Sequence, residues 1–429
     1  MRMRAWTVWL VVFTVSFAVA TGLRAQTTDR SGIEGKVVDQ SGGVLPGATV
    51  SISSPAMLGG ARTTVTDEEG RYRFSALPAG VYQVTFELEG FTPVTRELRL
   101  ETGFVATIDQ TLGVGALEES VTVTTESPVV DIRTTAVAAN LGKEALEQLP
   151  TSRSMWQAMN LAPGIRVAGV DVGGTAVGTQ QNYSNYGPST GGNKPSLDGV
   201  DTREDAGGSG FYYDYGAFQE VQVKAMGNDA EMATPGTQFL AVLKSGGDQF
   251  RGSGYFGWET PDLQSDNVDV ALRARGASEG NPLKAYHDAN ADLGGPVFRQ
   301  KLWFYGSYRH QLIKSGVAGY EYAPGVPGNY KVTLENFTGK LTGQVNPQHR
   351  FAGFVQTKDY PERNADAFRY QESTWHQIFK PLAGKAEWSW VVSDRTFVNA
   401  FVGRWKYVTD ALNRTEAPST TISTCRRDT

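Results

Sequence analysis

Two short stretches have the residue types and spacing of a nucleotide-holding or nucleophilic site. Gly252-Ser253-Gly254-Tyr255-Phe256-Gly257 matches GxGxxG, and Gly187-Pro188-Ser189-Thr190-Gly191 matches GxSxG. The first would cradle a pyrophosphate only if it followed a strand and opened a helix. It runs instead into Trp258, Glu259, Thr260, Pro261 and Asp262, which have no helical spacing. The second would expose a reactive serine only on a turn from a buried strand into a helix. Its flanks, YSNY and GNKPSLDG, offer neither. The four histidines, His287, His310, His349 and His376, begin no HxxE or HExxH motif, so a peptidase zinc has no ligand set. The lone Cys425 rules out an internal disulfide and a cysteine-rich metal site. These residues predict a chain that is not an enzyme: no catalytic residue, no metal and no cofactor.

The glycine motif belongs to an alternating pattern. Phe250, Gly252, Gly254, Phe256 and Trp258 share one face, while Arg251, Ser253, Tyr255 and Glu259 share the other. A period of two marks a strand between two environments. Seven such segments follow one another: 249–259, 284–294, 300–310, 335–345, 349–359, 382–391 and 396–407. Each has about the ten residues that a tilted membrane-crossing strand needs. Their connections alternate strictly. Thr260–Leu283, Gln311–Leu334 and Tyr360–Pro381 are long, whereas Gly295–Arg299, Asn346–Gln348 and Val392–Arg395 are short. Outer-membrane barrels sort their connections in this way, with long external loops and short periplasmic turns. The two environments are therefore read as lipid and lumen, with Trp258, Trp388, Trp390 and Trp405 suited to the interfacial girdles. A soluble multi-strand sandwich with extended hairpins is the alternative.

Upstream, the chain divides into further regions. Residues 1–25 carry Arg2 and Arg4, an apolar stretch and small residues before possible cuts after Ala20 or Ala25, the pattern of a secretory signal peptide. Its removal takes three arginines and no acids, moving the net charge from -5 to -8 and arguing against nucleic acid as a partner. Residues 32–112 read as short strands separated by turn signals, the pattern of a small β-sandwich. There Tyr82, Val84 and Phe86 form a candidate core face. Residues 117–248 mix two short helices, Lys143–Leu149 and Ser154–Leu161, with a glycine-rich stretch from Val167 to Gly210 read as mostly loop. The strands FQEVQVKA and TQFLAVLKSGG follow.

Two resemblances rest on these residues. GKVVDQSGGVLPGATVSI and TVTDEEGRYRFSALPAGVYQVTFELEGF resemble a carboxypeptidase regulatory-like domain, a transthyretin-like sandwich. EESVTVTTESPVVD, LPTSR, LAPGI, LDGVD, FQEVQV, VLKSGGDQFRGSGYFGW and LGGPVFRQKLWFYGSYR, in that order, resemble the TonB-dependent receptors of Gram-negative outer membranes. The match is nearest the Oar-like subgroup, which carries such a sandwich in front. The resemblance implies a mainly β chain: signal peptide 1–25, transthyretin-like sandwich 32–112, α+β plug 117–248, an incomplete transmembrane β-barrel 249–410 and an irregular tail 411–429. It implies an outer-membrane location, a periplasmic sandwich and uptake of an external ligand that is a siderophore, an oligosaccharide or a peptide. Its partners would be TonB with its inner-membrane energising complex, the outer-membrane lipid and that ligand. The TonB box candidate is Glu119, Ser120, Val121, Thr122, Val123, Thr124 and Thr125, an uncharged-core extended segment that equally suits a fixed plug strand. Ligand-contact candidates are Tyr183, Tyr186, Asp198, Tyr212, Tyr213 and Tyr215, which equally suit ordinary loop packing. A 22-stranded barrel needs far more chain than remains after the plug, so the sequence reads as a truncated or frameshifted product with an incomplete wall. The rival reading is a surface structural or adhesive protein whose sandwich resembles carbohydrate-binding modules and which transports nothing.

Overall fold

The computed structural model describes residues 31–57, 60–115, 121–123, 137–167, 181, 183–185, 192–203, 212–226, 236–266, 268–276, 280–323, 326–346, 348–365, 375–379, 381–393, 396–413 and 424–428. The signal-peptide reading of 1–25 lies outside these residues.

The first unit is a two-sheet sandwich. Its strands are β1 (Ser31–Asp39), β2 (Thr49–Ser53), β3 (Arg62–Val65), β4 (Arg71–Leu77), β5 (Gly80–Glu87), β6 (Val94–Leu100), β7 (Val105–Thr107) and β8 (Gln110–Leu112). One sheet has the order β4-β1-β7, with β8 also on β1; the other has β3-β2-β5-β6 and ends on β9 (Val121–Val123). The alternation read from the sequence holds: Tyr82, Val84 and Phe86 are fully buried with Ile33, Val37, Val50 and Ile52 between the sheets. Each such side chain contributes about 1.5–3 kcal/mol by leaving water. The last two strands, β7 and β8, are separated at Ile108 and Asp109. Gly35 is the reason, because a Cβ there would lie 1.8 Å from the Ile108 carbonyl oxygen. That close approach lets Ile108 N–H donate to Glu34 O at 2.8 Å while Tyr72 Oη donates to Ile108 O, also at 2.8 Å.

The second unit is built on a five-stranded sheet of order β10-β15-β16-β13-β14. Its strands are β10 (Val137–Gly142), β13 (Lys194–Leu197), β14 (Val200–Asp201), β15 (Phe218–Met226) and β16 (Gln238–Leu243), with β11 (Ile165–Val167) and β12 (Tyr183–Asn185) paired separately. The helices Lys143–Gln148 and Met155–Met159 fall where Pro150 and Pro163-Gly164 end the helical pattern. The second is far too short to be stable alone; all five of its residues are buried, Trp156 among them. The reading of 167–210 as mostly loop needs correction at 194–201. Lys194–Leu197 runs parallel to β16, and a tight hairpin follows. Asp198 and Gly199 both take positive φ, 48° and 86°, as a two-residue primed turn demands.

The third unit is an antiparallel wall. It contains β17 (Arg251–Glu259), β18 (Leu283–Phe298), β19 (Leu302–Ala323), β20 (Val326–Asn346), β21 (His349–Ala365), β22 (Trp375–Phe379), β23 (Leu382–Ser393), β24 (Thr396–Asn413) and β25 (Thr424–Asp428). The wall is open: among the described residues β17 pairs with β18 alone. All seven expected strands are present, but the connection expected at Gly295–Arg299 is tighter and later, since β18 runs on to Phe298 and β19 starts at Leu302. The long connections differ. Gln311–Leu334, expected as loop, continues β19 and β20 as a paired hairpin well beyond the expected ten-residue strands. At 22 residues, β19 extends about 70 Å, more than a tilted crossing uses. The tail is not wholly irregular either, since β24 reaches Asn413 and β25 pairs with it.

The two faces of the wall differ as lipid and lumen should. Outward positions on β20 run Phe337, Gly339, Leu341, Gly343, Val345, with Phe337, Leu341 and Val345 exposed. These eight residue steps cover about 27 Å along the strand, or about 21 Å upright at a ~40° tilt, close to the apolar band of such barrels. At the end near the short turns, Trp388, Trp390 and His349 stack at 5.5–5.9 Å on the same face. Trp405 does not join this girdle. It points inward and packs in the core of the second unit.

Candidate functional site

The inward face of the wall is polar, and the second unit is fastened to it. The TSR turn is the first fastening. Ser152 and Arg153 both hold left-handed φ, 51° and 50°, a conformation that costs non-glycine residues about 1–3 kcal/mol each. This turn aims Arg153 at the wall. Its Nε donates to Asp288 Oδ2 at 3.1 Å and its terminal nitrogen to Asn290 Oδ1 at 3.3 Å. Its guanidinium lies 4.1 Å from the Tyr255 ring centroid, a favourable cation–π contact. Asp288 is also gripped by Arg309, at 2.8 Å and 2.7 Å, in the two-pronged geometry that arginine gives a carboxylate. Arg309 donates onward to the backbone oxygen of Arg153 at 3.2 Å. One buried carboxylate on β18 therefore joins a plug arginine and a wall arginine.

Three more contacts repeat the theme. Asp214 accepts from Ser307 Oγ at 2.6 Å and Thr338 Oγ1 at 3.3 Å. Burial pushes its carboxyl above the ordinary range despite these donors. Asp198, at the tip of the Asp198-Gly199 hairpin, meets Lys340 Nζ at 2.7 Å. Burial opposes its charge, yet Lys340 and Lys385 outweigh that and hold its carboxyl below the ordinary range. Lys244, after β16, meets Asp292 at 2.9 Å, and Asp292 also accepts from Ser253 N–H and Oγ.

The sandwich is fastened to the same sheet, at β15. Glu220 on β15 accepts from Thr102 N–H at 3.0 Å and Thr102 Oγ1 at 3.1 Å, while Gln222 Nε2 donates to Thr102 O at 2.7 Å. Asn140 bonds Glu101, and Arg99 lies 3.5 Å from Glu144. Burial raises the Glu220 carboxyl above its usual range, against the pull of the Thr102 donors.

The residues singled out from the sequence fare unevenly. Tyr183, Tyr212, Tyr213 and Tyr215 are buried, each 6% exposed or less. Tyr183 packs against Trp156, Tyr213 stacks on Phe239 at 5.8 Å, and Tyr215 Oη pairs with Thr151 Oγ1 at 2.7 Å. Tyr183, Tyr213 and Tyr215 pack in the core of the second unit among Leu, Ile and Val side chains, whereas Tyr212 packs with Leu283, Tyr286, Ile313, Val332 and Leu334 of the wall. Asp198 is a fastening to the wall, and Tyr186 lies outside the described residues. Of the proposed strand-adding segment, Val121, Thr122 and Val123 form β9, while Glu119, Ser120, Thr124 and Thr125 lie outside the described residues. Sequence reasoning missed Arg153, Asp214, Asp288, Asp292, Arg309 and Lys340. A signal existed for the wall residues: charges at alternate positions of membrane-crossing strands must face the lumen. Nothing local marked Arg153 or Asp214.

Comparison with known proteins agrees with this architecture. The model of the carboxypeptidase regulatory-like domain matches residues 32–113. The TonB-dependent transporter Oar of Myxococcus xanthus is 29% identical over 378 residues, covering 77% of this chain and 34% of that protein. The chain therefore spans about a third of that relative's length. The outer membrane transporter YddB of Escherichia coli superposes with a TM-score of 0.51 at 12% identity, over 68% of this chain and 43% of that one. The ferric enterobactin receptor PfeA gives 0.48 at 13% identity, over 65% and 42%. The YddB likeness is one of fold. By sequence the chain is similar to the TonB-dependent transporter Oar, with a match to the carboxypeptidase regulatory-like domain in front, and by fold it is a sandwich, a plug and an open barrel wall.

Proposed function

We propose that this chain serves as a TonB-dependent receptor of the outer membrane, importing an external ligand rather than transforming one. The observation that carries this reading is the way the plug sheet is tied to the lumen face, through Arg153, Asp288 and Arg309 and through Asp198 and Lys340. A plug must be held firmly enough to block a pore and yet give way under applied force. A few buried, hydrogen-bonded ion pairs meet both demands, since they are strong in place and short in range. In this reading TonB grasps the segment 119–125 by strand addition and transmits force from the inner membrane. A siderophore, an oligosaccharide or a peptide fits the reading equally.

The test is fractionation of native cells, probed with an antibody against residues 32–112, together with capture on the immobilised periplasmic domain of TonB. The expected result is an outer-membrane band that TonB retains and that a Thr122→Pro variant loses. A protein recovered in the soluble fraction, or one retained equally with and without Thr122→Pro, overturns the reading.

A further inference from the structure

The segment offered to TonB is already a strand in a sheet. Val121–Val123 runs parallel to β6, in the register Val94 to Val121, Thr95 to Thr122 and Arg96 to Val123. Among the described residues it forms the outermost strand of the sandwich sheet, beyond β6. The chain is led there along the neighbouring turn: Thr92 N–H donates to Gly113 O at 2.8 Å, Phe91 bridges Val114, and Gly115 N–H donates to Gly90 O at 3.4 Å. The host sheet is itself docked on the plug through Thr102, Glu220 and Gln222. Thirteen residues, 124–136, separate β9 from the first plug strand, β10. Fully extended they reach about 45 Å.

We propose that the sandwich is a keeper for the TonB-recognition strand: β6 holds 121–123 by parallel strand pairing, and TonB obtains the strand by displacing β6. This rests on the reading of 119–125 as the TonB segment and adds its regulation. A strand-adding partner needs the backbone N–H and C=O groups of the segment and clearance along its whole length. Pairing with β6 takes up the inward-pointing groups, and the docked sandwich crowds that side. Among the described residues three pair, a short ladder open to exchange. While it lasts, a pull on the segment loads the sandwich and its Thr102–Glu220 clamp instead of β10. Exchange transfers the load to the plug.

The experiment uses the full chain in detergent micelles with Cys425→Ser, so that introduced thiols are the sole ones. Thr95→Cys and Thr122→Cys stand directly opposite in register, at the ~4.8 Å strand spacing that a disulfide spans. The probe is the soluble periplasmic domain of TonB. The expected result is that the pair oxidises readily, that the oxidised chain binds TonB at least tenfold more weakly than the reduced chain, and that reductant restores binding. A control pair, Ser51→Cys with Thr63→Cys, joins β2 to β3 in the same sheet and leaves binding unchanged, which separates locking from misfolding. Failure of the 95–122 pair to oxidise overturns the proposal. So does equal binding by the oxidised and reduced chains, which would place TonB on the outer edge of β9. A synthetic peptide of residues 117–131 distinguishes the two levels. If the peptide binds TonB and the locked chain binds equally well, the keeper alone falls. If the peptide does not bind, the TonB reading of the segment falls and the keeper with it.

Discussion

Asp288 is fully buried between two guanidinium groups, and the consequences of changing each partner are unequal. Asp288→Ala leaves Arg309, whose side chain is 3% exposed, without its counter-charge. Stranding a buried charge costs about 3–5 kcal/mol. Arg153→Ala removes a charged hydrogen bond but leaves Asp288 paired with Arg309, so its cost is about 1.5–3 kcal/mol. Thermal unfolding of the two variants in micelles should rank them in that order, and equal losses would refute the shared-carboxylate account. Glu220 makes a pH prediction. Its folded carboxyl is raised by burial, with Glu101 adding to the rise and Arg99 and the Thr102 donors opposing it. A raised carboxyl favours the folded state fully below its unfolded value, and the advantage is lost as pH climbs through the folded value. The sandwich–plug clamp should therefore be tightest below the ordinary glutamate range and loosen above it. Protease sensitivity of the Thr102 turn should rise with pH across that window. In Glu220→Gln, which can still accept from the Thr102 amide and donate to its hydroxyl, it should stay flat.

At the scale of elements, backbone approach decides more than side-chain chemistry. β1 carries β4 on one edge and both β7 and β8 on the other, and this works only because Gly35 has no side chain. Gly35→Ala would drive a Cβ into a backbone oxygen, where no rotamer change gives relief. The expected cost is at least about 1–3 kcal/mol, seen as faster hydrogen exchange at 105–112 with the β2–β5 pairing protected as before. The long hairpin of β19 and β20 carries the external half of the wall as sheet. It therefore presents a stiff ladder where the sequence pattern suggested a pliable loop.

For the whole molecule, lipid decides which face each wall strand shows. The outward band makes a depth-dependent prediction. Leu341→Arg puts a charge near the middle of the apolar band and should cost about 2–4 kcal/mol, whereas Thr333→Arg, outward but beyond Glu335, should cost about 0–1 kcal/mol. Unfolding in lipid bilayers measures both. Equal effects would remove the membrane reading of this face and favour a soluble wall. The polar inner face, the plug pressed against it and the sandwich beneath together form one stack, linked by the ion pairs at Asp288, Asp292 and Lys340 and by the Glu220 clamp.

Much of this was legible in the chain itself, because strand periodicity is a local property. Tyr82, Val84 and Phe86 declare a core face by alternation, and the seven wall strands declare themselves by alternation and by the lengths between them. Pro150, next after the C-cap Leu149, stops the first helix by its own geometry. Flanking residues likewise argued against enzymatic readings of GxGxxG and GxSxG, since each needs a particular strand–helix context. Tertiary structure decided what depends on partners distant in sequence. Trp405 faces inward because plug apolar surface awaits it there. Tyr183, Tyr212, Tyr213 and Tyr215 are buried, because burial is set by what packs above a ring and not by the loop that carries it. The union of Arg153 with Asp288, 135 residues apart, and the pairing of Val121–Val123 with β6 have no local signature. Both join groups that only the folded arrangement brings within hydrogen-bond reach.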